Sequence, residues 1–384
     1  MQKFYIKINN PYNKYMKTKI ERDNIHMSWR PIDGYNKSIN IFISPREPGK
    51  TDTTWWEKIY CKWLVNKKPW GYLVRQNVEI TEAIIKDIED TLNKWSIEPV
   101  SFSYNKGSMK DGIVDVKING ELFIRITSLS ITLRRIKSAK IPNIGGIFMD
   151  EYIIDPRSGE KYLKDEFFKI QELYTTWRRS YEGDGQLKMY ICGNPYSLFN
   201  PMFVGLGVKI AELKKDRYEL VNGEWKLRHN IYLGKNYAIE WGVLHPLLKE
   251  QLLEKNPFYQ FDEEYSQYAL EGTAINDRNI KLAELPRNFY LEFVFRVQGK
   301  NIGLFKNNYI DDLEDRYFCK FLDEVSARRT IYCFDFSEMV EKSILLSLDE
   351  RMKVQRFKES MRKRLVSFED INVYYYMEEV YKQI

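Results

Sequence analysis

The stretch that most constrains this chain is INIFISPREPGKTDT, Ile39 to Thr53. Its apolar opening, Ile39 to Ser44, reads as a short buried strand bounded by turn residues. Beyond Thr51, the residues Trp55, Trp56, Ile59, Tyr60, Trp63 and Leu64 recur at the spacing of one helix face. A loop between a strand and a helix gathers backbone N–H groups at the helix start around one point, a geometry suited to holding phosphate. Gly49, Lys50 and Thr51 complete the end of the pattern G-x-x-x-x-G-K-[ST]. In that pattern the glycine lets the backbone approach phosphate, the lysine reaches the β- and γ-phosphates, and the threonine hydroxyl holds Mg2+. The first glycine is Ser44 here, followed by Pro45, Arg46, Glu47 and Pro48, and Pro48 lacks an N–H that phosphate would use. The same tripeptide also fits an ordinary turn in which Thr51 caps the helix.

The alternation continues. WGYLVRQ, Trp70 to Gln76, is a second strand, and Ile84, Ile85, Ile88, Leu92 and Trp95 mark an amphipathic helix. DGIVDVKINGELFIRIT sets Asn119-Gly120 between two runs of alternating polarity, which predicts a tight hairpin because both residues accept positive φ. NIGGIFMDE reads as a strand buried on both faces that ends in two carboxylates. Phe167, Ile170, Tyr174, Trp177 and Tyr181 keep helical spacing, and LKMYICGNP returns to a strand. This order predicts an α/β domain over residues 1–205, with four or five strands and crossover helices. Residues 206–285, with a small hairpin in RYELVNGEWKLRHNIYL, a polar helical stretch and the loop EGTAIND, are expected to form a lid or linker subdomain. Residues 286–384 are expected to form an α+β domain with strands in RNFYLEFVFRVQGKNIGLFK and RRTIYCFDF, and one long helix from Ser337 to Val366.

Chemistry-bearing residues cluster at predicted strand ends. Asp150 and Glu151 follow an apolar strand, where a parallel sheet opens its ligand crevice. There Asp150 is suited to a metal's water shell and Glu151 to orienting or deprotonating an attacking water; a charged strand end leading into a loop is the plain alternative. Asn194 ends the next strand, where its amide would reach a phosphate or water, or simply form a turn. Arg178 and Arg179 close a helix, a position that suits the helix dipole and also suits an arginine supplied to a neighbouring phosphoryl site. LRRIKSAK carries Arg134, Arg135, Lys137 and Lys140 just ahead of the carboxylate strand.

Composition narrows the class. A chain of 384 residues, 43% of them hydrophobic, can fill more than one core. No apolar run approaches a membrane span and the N-terminus lacks a signal-peptide core, which predicts a soluble intracellular protein. Cys61, Cys192, Cys319 and Cys333 form no C-x-x-C pair, and His26, His229 and His245 show no ligand spacing, so neither disulfides nor structural zinc is expected. Sixty basic against 54 acidic residues give a net charge of +6, a mild bias toward an acidic partner. The 27 tyrosines suit large protein contacts.

Taken in order, SPREPGKT, YLVRQ, KSAKIPNIGGIFMDEYI, TTWRRS and YICGNPYSLFNPMF resemble the DNA-packaging motor ATPases of small short-tailed bacteriophages, relatives of the large terminases. The likeness covers most of the first 205 residues and extends more weakly through EEYSQYALEGTAINDRNI. It implies a P-loop NTPase of the ASCE type, with a central mostly parallel sheet, a small lid and a C-terminal domain resembling a vestigial, nuclease-inactive RNase H-like fold. Carried over, Lys50 and Thr51 bind Mg2+ and ATP, Ser44, Arg46 and Gly49 line the phosphates, and Asp150 holds the metal with Thr51. Glu151 activates water, Asn194 falls in the coupling motif, Arg178 matches the arginine finger, and Lys137 a basic residue acting at the subunit interface; Arg75 lies at a basic strand position. The resemblance implies a translocase that packages double-stranded DNA as a homo-oligomeric, pentameric ring on the portal of a procapsid, with a packaging RNA as a further partner. It sets the protein in the host cytoplasm, attached transiently to the procapsid, with no membrane. The alternatives are a terminase large subunit with a live nuclease, and a portal-binding protein with a degenerate nucleotide site. For the nuclease, the C-terminal region offers Glu292, Asp311, Asp312 and Asp335 without a recognisable cluster. Its basic run Arg351, Lys353, Arg356, Lys358, Arg362, Lys363 and Arg364 would follow phosphates or form a solvated face.

Overall fold

The computed structural model describes residues 25–384 apart from 156, 157, 159, 199, 262–265, 267, 268, 271–279, 309–314, 348–350, 353 and 364. The loop EGTAIND, the acidic residues Asp311 and Asp312, and the basic residues Lys353 and Arg364 therefore lie outside the described residues. The chain divides into two compact units, one of residues 1–206 and 213–275, the other of 207–212 and 276–384.

In the first unit the strands are β1 (Ile39–Ile43), β2 (Trp70–Val74), β3 (Phe102–Tyr104), β4 (Ile113–Ile118), β5 (Glu121–Ser128), β6 (Gly146–Met149) and β7 (Met189–Gly193). A hairpin of β8 (Arg217–Val221) and β9 (Glu224–Arg228) follows, then β10 (Ile231–Leu233) and β11 (Tyr237–Trp241). All but the hairpin form one nine-stranded sheet in the order β10-β11-β1-β7-β6-β2-β5-β4-β3. From β11 to β5 the pairing is parallel, and β10, β4 and β3 add antiparallel edges. The parallel centre is apolar along its length because both faces are covered: every residue of β2, β6 and β7 is buried. Asn119 and Gly120 take φ of 51° and 83°, giving the tight β4–β5 turn that the sequence predicts.

The sheet is larger than the four or five strands expected, because part of the span 206–285 enters it. Tyr237–Trp241 is buried throughout and pairs parallel with β1, with β10 antiparallel on its other side, so this largely apolar run extends the sheet beyond the first strand. The helix after the phosphate loop also departs from a plain α-helix. It begins as Lys50–Thr53, widens into a π-helical segment over Thr54–Tyr60, and resumes as Cys61–Asn66. At that junction the Thr54 hydroxyl donates to the Lys50 carbonyl at 2.6 Å and accepts the Trp29 indole N–H at 2.8 Å. A side chain bonded into the helical ladder, next to bulky Trp55 and Trp56, is a local cause for the widening.

The second unit is built on a seven-stranded sheet of β12 (Lys281–Leu282), β13 (Phe289–Val297), β14 (Lys300–Asn307), β15 (Tyr317–Phe321), β16 (Ile331–Cys333), β17 (Ser343–Leu345) and β18 (Val366–Phe368). Its order is β12-β18-β15-β14-β13-β16-β17, with β14 antiparallel to both neighbours and the remaining pairs parallel. The long helix expected from Ser337 to Val366 is not formed. Ser343–Leu345 is instead a strand, parallel to β16, and the only α-helix wholly within the described part of that span is Gln355–Arg362. Helical spacing there competes with an edge that β16 leaves open, and the tertiary pairing wins. The closing helix Ile371–Gln383 is capped by Asp370, which accepts from the N–H groups of Asn372 and Val373. It buries Val373, Tyr375, Met377 and Val380.

Candidate nucleotide site

The strand order sets three chain ends side by side. β1, β7 and β6 are neighbours, and their C-terminal ends lead directly into Ser44, Asn194 and Asp150. Ser44 is fully buried, and its N–H donates to the Gly193 carbonyl at 3.1 Å, which locks the start of the phosphate loop to the end of β7. A parallel sheet opens its ligand crevice at this edge. Here the crevice is a cavity of about 610 Å³, lined among others by Arg46, Gly49, Lys50, Thr51, Asp150, Glu151 and Asn194.

Loop conformation carries the strain expected of a binding site. Glu47 and Gly49 have φ of 75° and 73°, and Glu151 has φ of 48°. For the two glutamates this left-handed backbone costs roughly 1–2 kcal/mol each and persists only where surrounding contacts hold it. The Pro48 carbonyl accepts the Met27 N–H at 2.9 Å, and a side chain at Gly49 would crowd the His26 ring at 3.2 Å. The lost donor at Pro48 thus belongs to a loop whose turn is held from behind.

Lys50 is buried, with its ammonium donating to Asn194 Oδ1 at 2.6 Å and to the Pro45 carbonyl at 3.0 Å. Burial pulls its pKa down, and the nearby Asp150 carboxylate partly restores it. The Thr51 hydroxyl donates to Asp150 Oδ2 at 2.7 Å, and the Glu151 N–H donates to Asp150 Oδ1 at 2.9 Å. Loss of water around Asp150 raises its pKa, opposed by the Thr51 hydrogen bond and the Lys50 charge. A hydroxyl and a half-buried carboxylate 2.7 Å apart form an all-oxygen pair, the donor type that Mg2+ takes with its waters and a substrate's phosphates. Glu151 is exposed on the cavity wall. Arg46, also exposed at the cavity, donates to the Tyr196 hydroxyl at 3.0 Å.

Two of the expected residues are elsewhere. Arg178 is exposed at the end of the helix Glu166–Arg178, with its guanidinium 5.6 Å from the Tyr181 ring centre, and it does not line this cavity. Lys137, on the short helix Leu133–Ser138, pairs with Glu172 at 3.1 Å and does not line it either. The two helices are joined by Trp177, whose indole N–H donates to the Ala139 carbonyl at 2.5 Å. Trp177 fits against β2 only because Gly71 has no side chain: a Cβ there would lie 2.1 Å from the indole.

Arg75, at the end of β2, is a buried anchor. Its Nε donates to both Glu166 oxygens, at 3.0 and 3.2 Å, and its Nη2 donates to the Tyr152 carbonyl. It ties the residue after Glu151 to the start of the helix Glu166–Arg178. Sequence patterning does not single out His26, Tyr196, or the pair Trp56 and Trp95, whose stacked rings (6.1 Å apart) wall the cavity. Trp56 and Trp95 carry the signal of a core-facing helix stripe, which does not separate a core wall from a cavity wall.

No family model matches the chain, and no curated protein matches it in sequence. Among solved structures it is similar to the Phi-29 bacteriophage viral genome packaging motor assembly, at 14% identity over 94% of this chain and 99% of that one, with a TM-score of 0.64. It is also similar to the Phi-28 gp11 DNA packaging motor, at 17% identity over 91% and 95% of the two chains, with a TM-score of 0.55. At these identities the likeness is one of fold: the chain shares the α/β architecture of these packaging-motor structures.

Proposed function

We propose that this chain is an ATP-driven translocase that packages double-stranded viral DNA into a preformed capsid, working as a ring on the portal. The observation that carries the reading is the convergence of Lys50, Thr51, Asp150, Glu151 and Asn194 on one cavity at the ends of three adjacent parallel strands. Mg2+ would be held by Thr51 and Asp150 and would neutralise charge building on the β- and γ-phosphates. Lys50 exchanges its contacts with the Pro45 carbonyl and Asn194 Oδ1 for phosphate oxygens, which releases the Asn194 amide. Asn194 thereby reports the state of the phosphates to β7, and Glu151 orients and deprotonates the attacking water. Ser44 and Gly49 shape the loop, while Arg46 adds a positive charge at its rim.

Arg178 completes the site of the next subunit, and Lys137 acts at the same interface. Their exposure and their distance from the cavity of their own chain support action in trans. A homo-oligomer follows from that division, with a pentameric ring and a packaging RNA as the family-derived form. The setting is the host cytoplasm, at the procapsid portal. In the second unit, the order β15-β14-β13-β16-β17 supports a vestigial RNase H-like domain. Glu292 is paired with Lys306 at 3.1 Å and Asp335 caps a short turn, so among the described residues neither acid stands in a cluster ready for two metal ions, and the domain is read as a DNA- or portal-binding one. In function, residues 1–205 with β10 and β11 serve as the motor, the rest of 206–285 as the lid and 286–384 as the binding domain.

The experiment is DNA-stimulated ATP hydrolysis with purified protein. Lys50→Ala and Glu151→Gln are each expected to lower turnover by about 10²–10⁴. Wild-type rates in both variants would overturn the reading.

A further inference from the structure

Away from the nucleotide cavity, three ligating side chains from separate stretches meet at the base of the β8–β9 hairpin. Asp216 immediately precedes β8, His229 follows β9, and Glu240 lies on β11. One ligand atom from each lies within 4.8 Å of the others. His229 Nδ1 is 2.6 Å from Glu240 Oε1 and 3.7 Å from Asp216 Oδ2. Among the described residues it is the one such group of histidine, cysteine and carboxylate ligands.

The surroundings make the cluster unusual. Glu240 and Asp216 are 1% and 3% exposed, and Glu240 lies in a strand that is otherwise apolar. Asp216 Oδ1 accepts the Asn230 N–H at 2.6 Å, Asp216 Oδ2 has the His229 ring nitrogen at the long distance of 3.7 Å, and Glu240 Oε2 is buried without a hydrogen-bond partner. Leaving a buried carboxylate oxygen poorly paired is costly, and here two buried carboxylates share one imidazole. A divalent ion balances two carboxylates and a neutral imidazole. The His229 side chain is 35% exposed, so the cluster is open to water on that side.

We propose that Asp216, His229 and Glu240 form a site for a divalent transition-metal ion of the zinc class, with water completing the coordination. An imidazole with carboxylates suits zinc, whereas Mg2+ takes oxygen ligands alone. The ion would pin both ends of the β8–β9 hairpin to β11. Its role is structural: a two-stranded hairpin is marginal by itself, and β8 and β9 pair only with each other.

The test uses the full-length protein, stripped with chelator and then titrated with Zn2+ and with Co2+ in excess Mg2+. Calorimetry and elemental analysis are expected to give one zinc per chain, and Co2+ a visible absorption band. Zinc is expected to slow proteolysis within 217–228. His229→Ala and Glu240→Gln should weaken zinc binding by roughly tenfold or more, while Lys50→Ala should bind it as wild type does, which separates this site from the nucleotide cavity. Absence of stoichiometric zinc in wild type would overturn the proposal, as would equal binding by His229→Ala. Either result leaves the cluster as a histidine ion-paired between two carboxylates. If Glu240→Gln does not fold, the half-exposed His229 still decides.

Discussion

Carboxylates at strands mean different things in the two units. At the end of β6, Asp150 is half-buried, bonded to the Thr51 hydroxyl and followed by an exposed Glu151, and both face one cavity. On β13, Glu292 is held by Lys306, and Asp335 is used up capping a short turn through the Ser337 N–H. Both sheets are mixed and both carry acids beside apolar strands, yet among the described residues Asp150 and Glu151 share one cavity while Glu292 and Asp335 are engaged separately. Asp150 and Glu151 follow the C-terminal end of a parallel strand, where the crevice opens, whereas Glu292 sits within β13, at the register shift between Leu291 and Phe293 in its pairing with β14.

The largest effect that would sharpen this contrast concerns the arginine expected in trans. Mixing Arg178→Ala subunits with Glu151→Gln subunits should recover ATPase activity that neither has alone, since such an arginine contributes roughly 10³–10⁵ in rate. A mixture as inactive as its components would remove the shared-site argument. Next comes the anchor behind Glu151. Arg75→Ala leaves Glu166 buried and unpaired, a loss of about 3–5 kcal/mol, which denaturant unfolding of the first unit would report. Arg75→Lys should recover only part of that, because a lysine cannot span both Glu166 oxygens and the Tyr152 carbonyl.

A smaller gain is expected at Glu47. Its φ of 75° suits glycine, so Glu47→Gly should relieve roughly 1–2 kcal/mol of local strain, and a rise in melting temperature with ATPase activity retained would show it. At the low end, Glu292→Gln breaks a half-exposed pair with Lys306, expected to cost about 0–1 kcal/mol and to leave DNA-stimulated ATPase within about twofold. Metal-dependent DNA cleavage that disappears in this variant would break the contrast between the units and favour the live-nuclease alternative.

Much of the candidate nucleotide site is legible in the chain's residue order. Gly49-Lys50-Thr51 announces itself by fixed spacing, because backbone contact with phosphate leaves few choices of residue or order. Asp150 and Glu151 are readable because they close an apolar run. The partnership of Lys50 with Asn194 is not, since the two are far apart in the chain and only the adjacency of β1 and β7 joins them. The zinc-class cluster leaves no trace either: no fixed ligand spacing links Asp216, His229 and Glu240, which a hairpin base and a neighbouring strand bring together.

By itself, then, the sequence determined the local alternation of strands and helices, the phosphate loop with its odd Ser44 start, and the hairpin turn at Asn119-Gly120. Those features depend on periodicity and backbone conformation, which act over a few residues. Tertiary structure decided which strands are neighbours, that Tyr237–Trp241 joins the first sheet, and that Ser343–Leu345 is a strand rather than part of a long helix. Pairing and burial between distant segments supply those energies, and they override local preference wherever an open sheet edge competes with helical spacing.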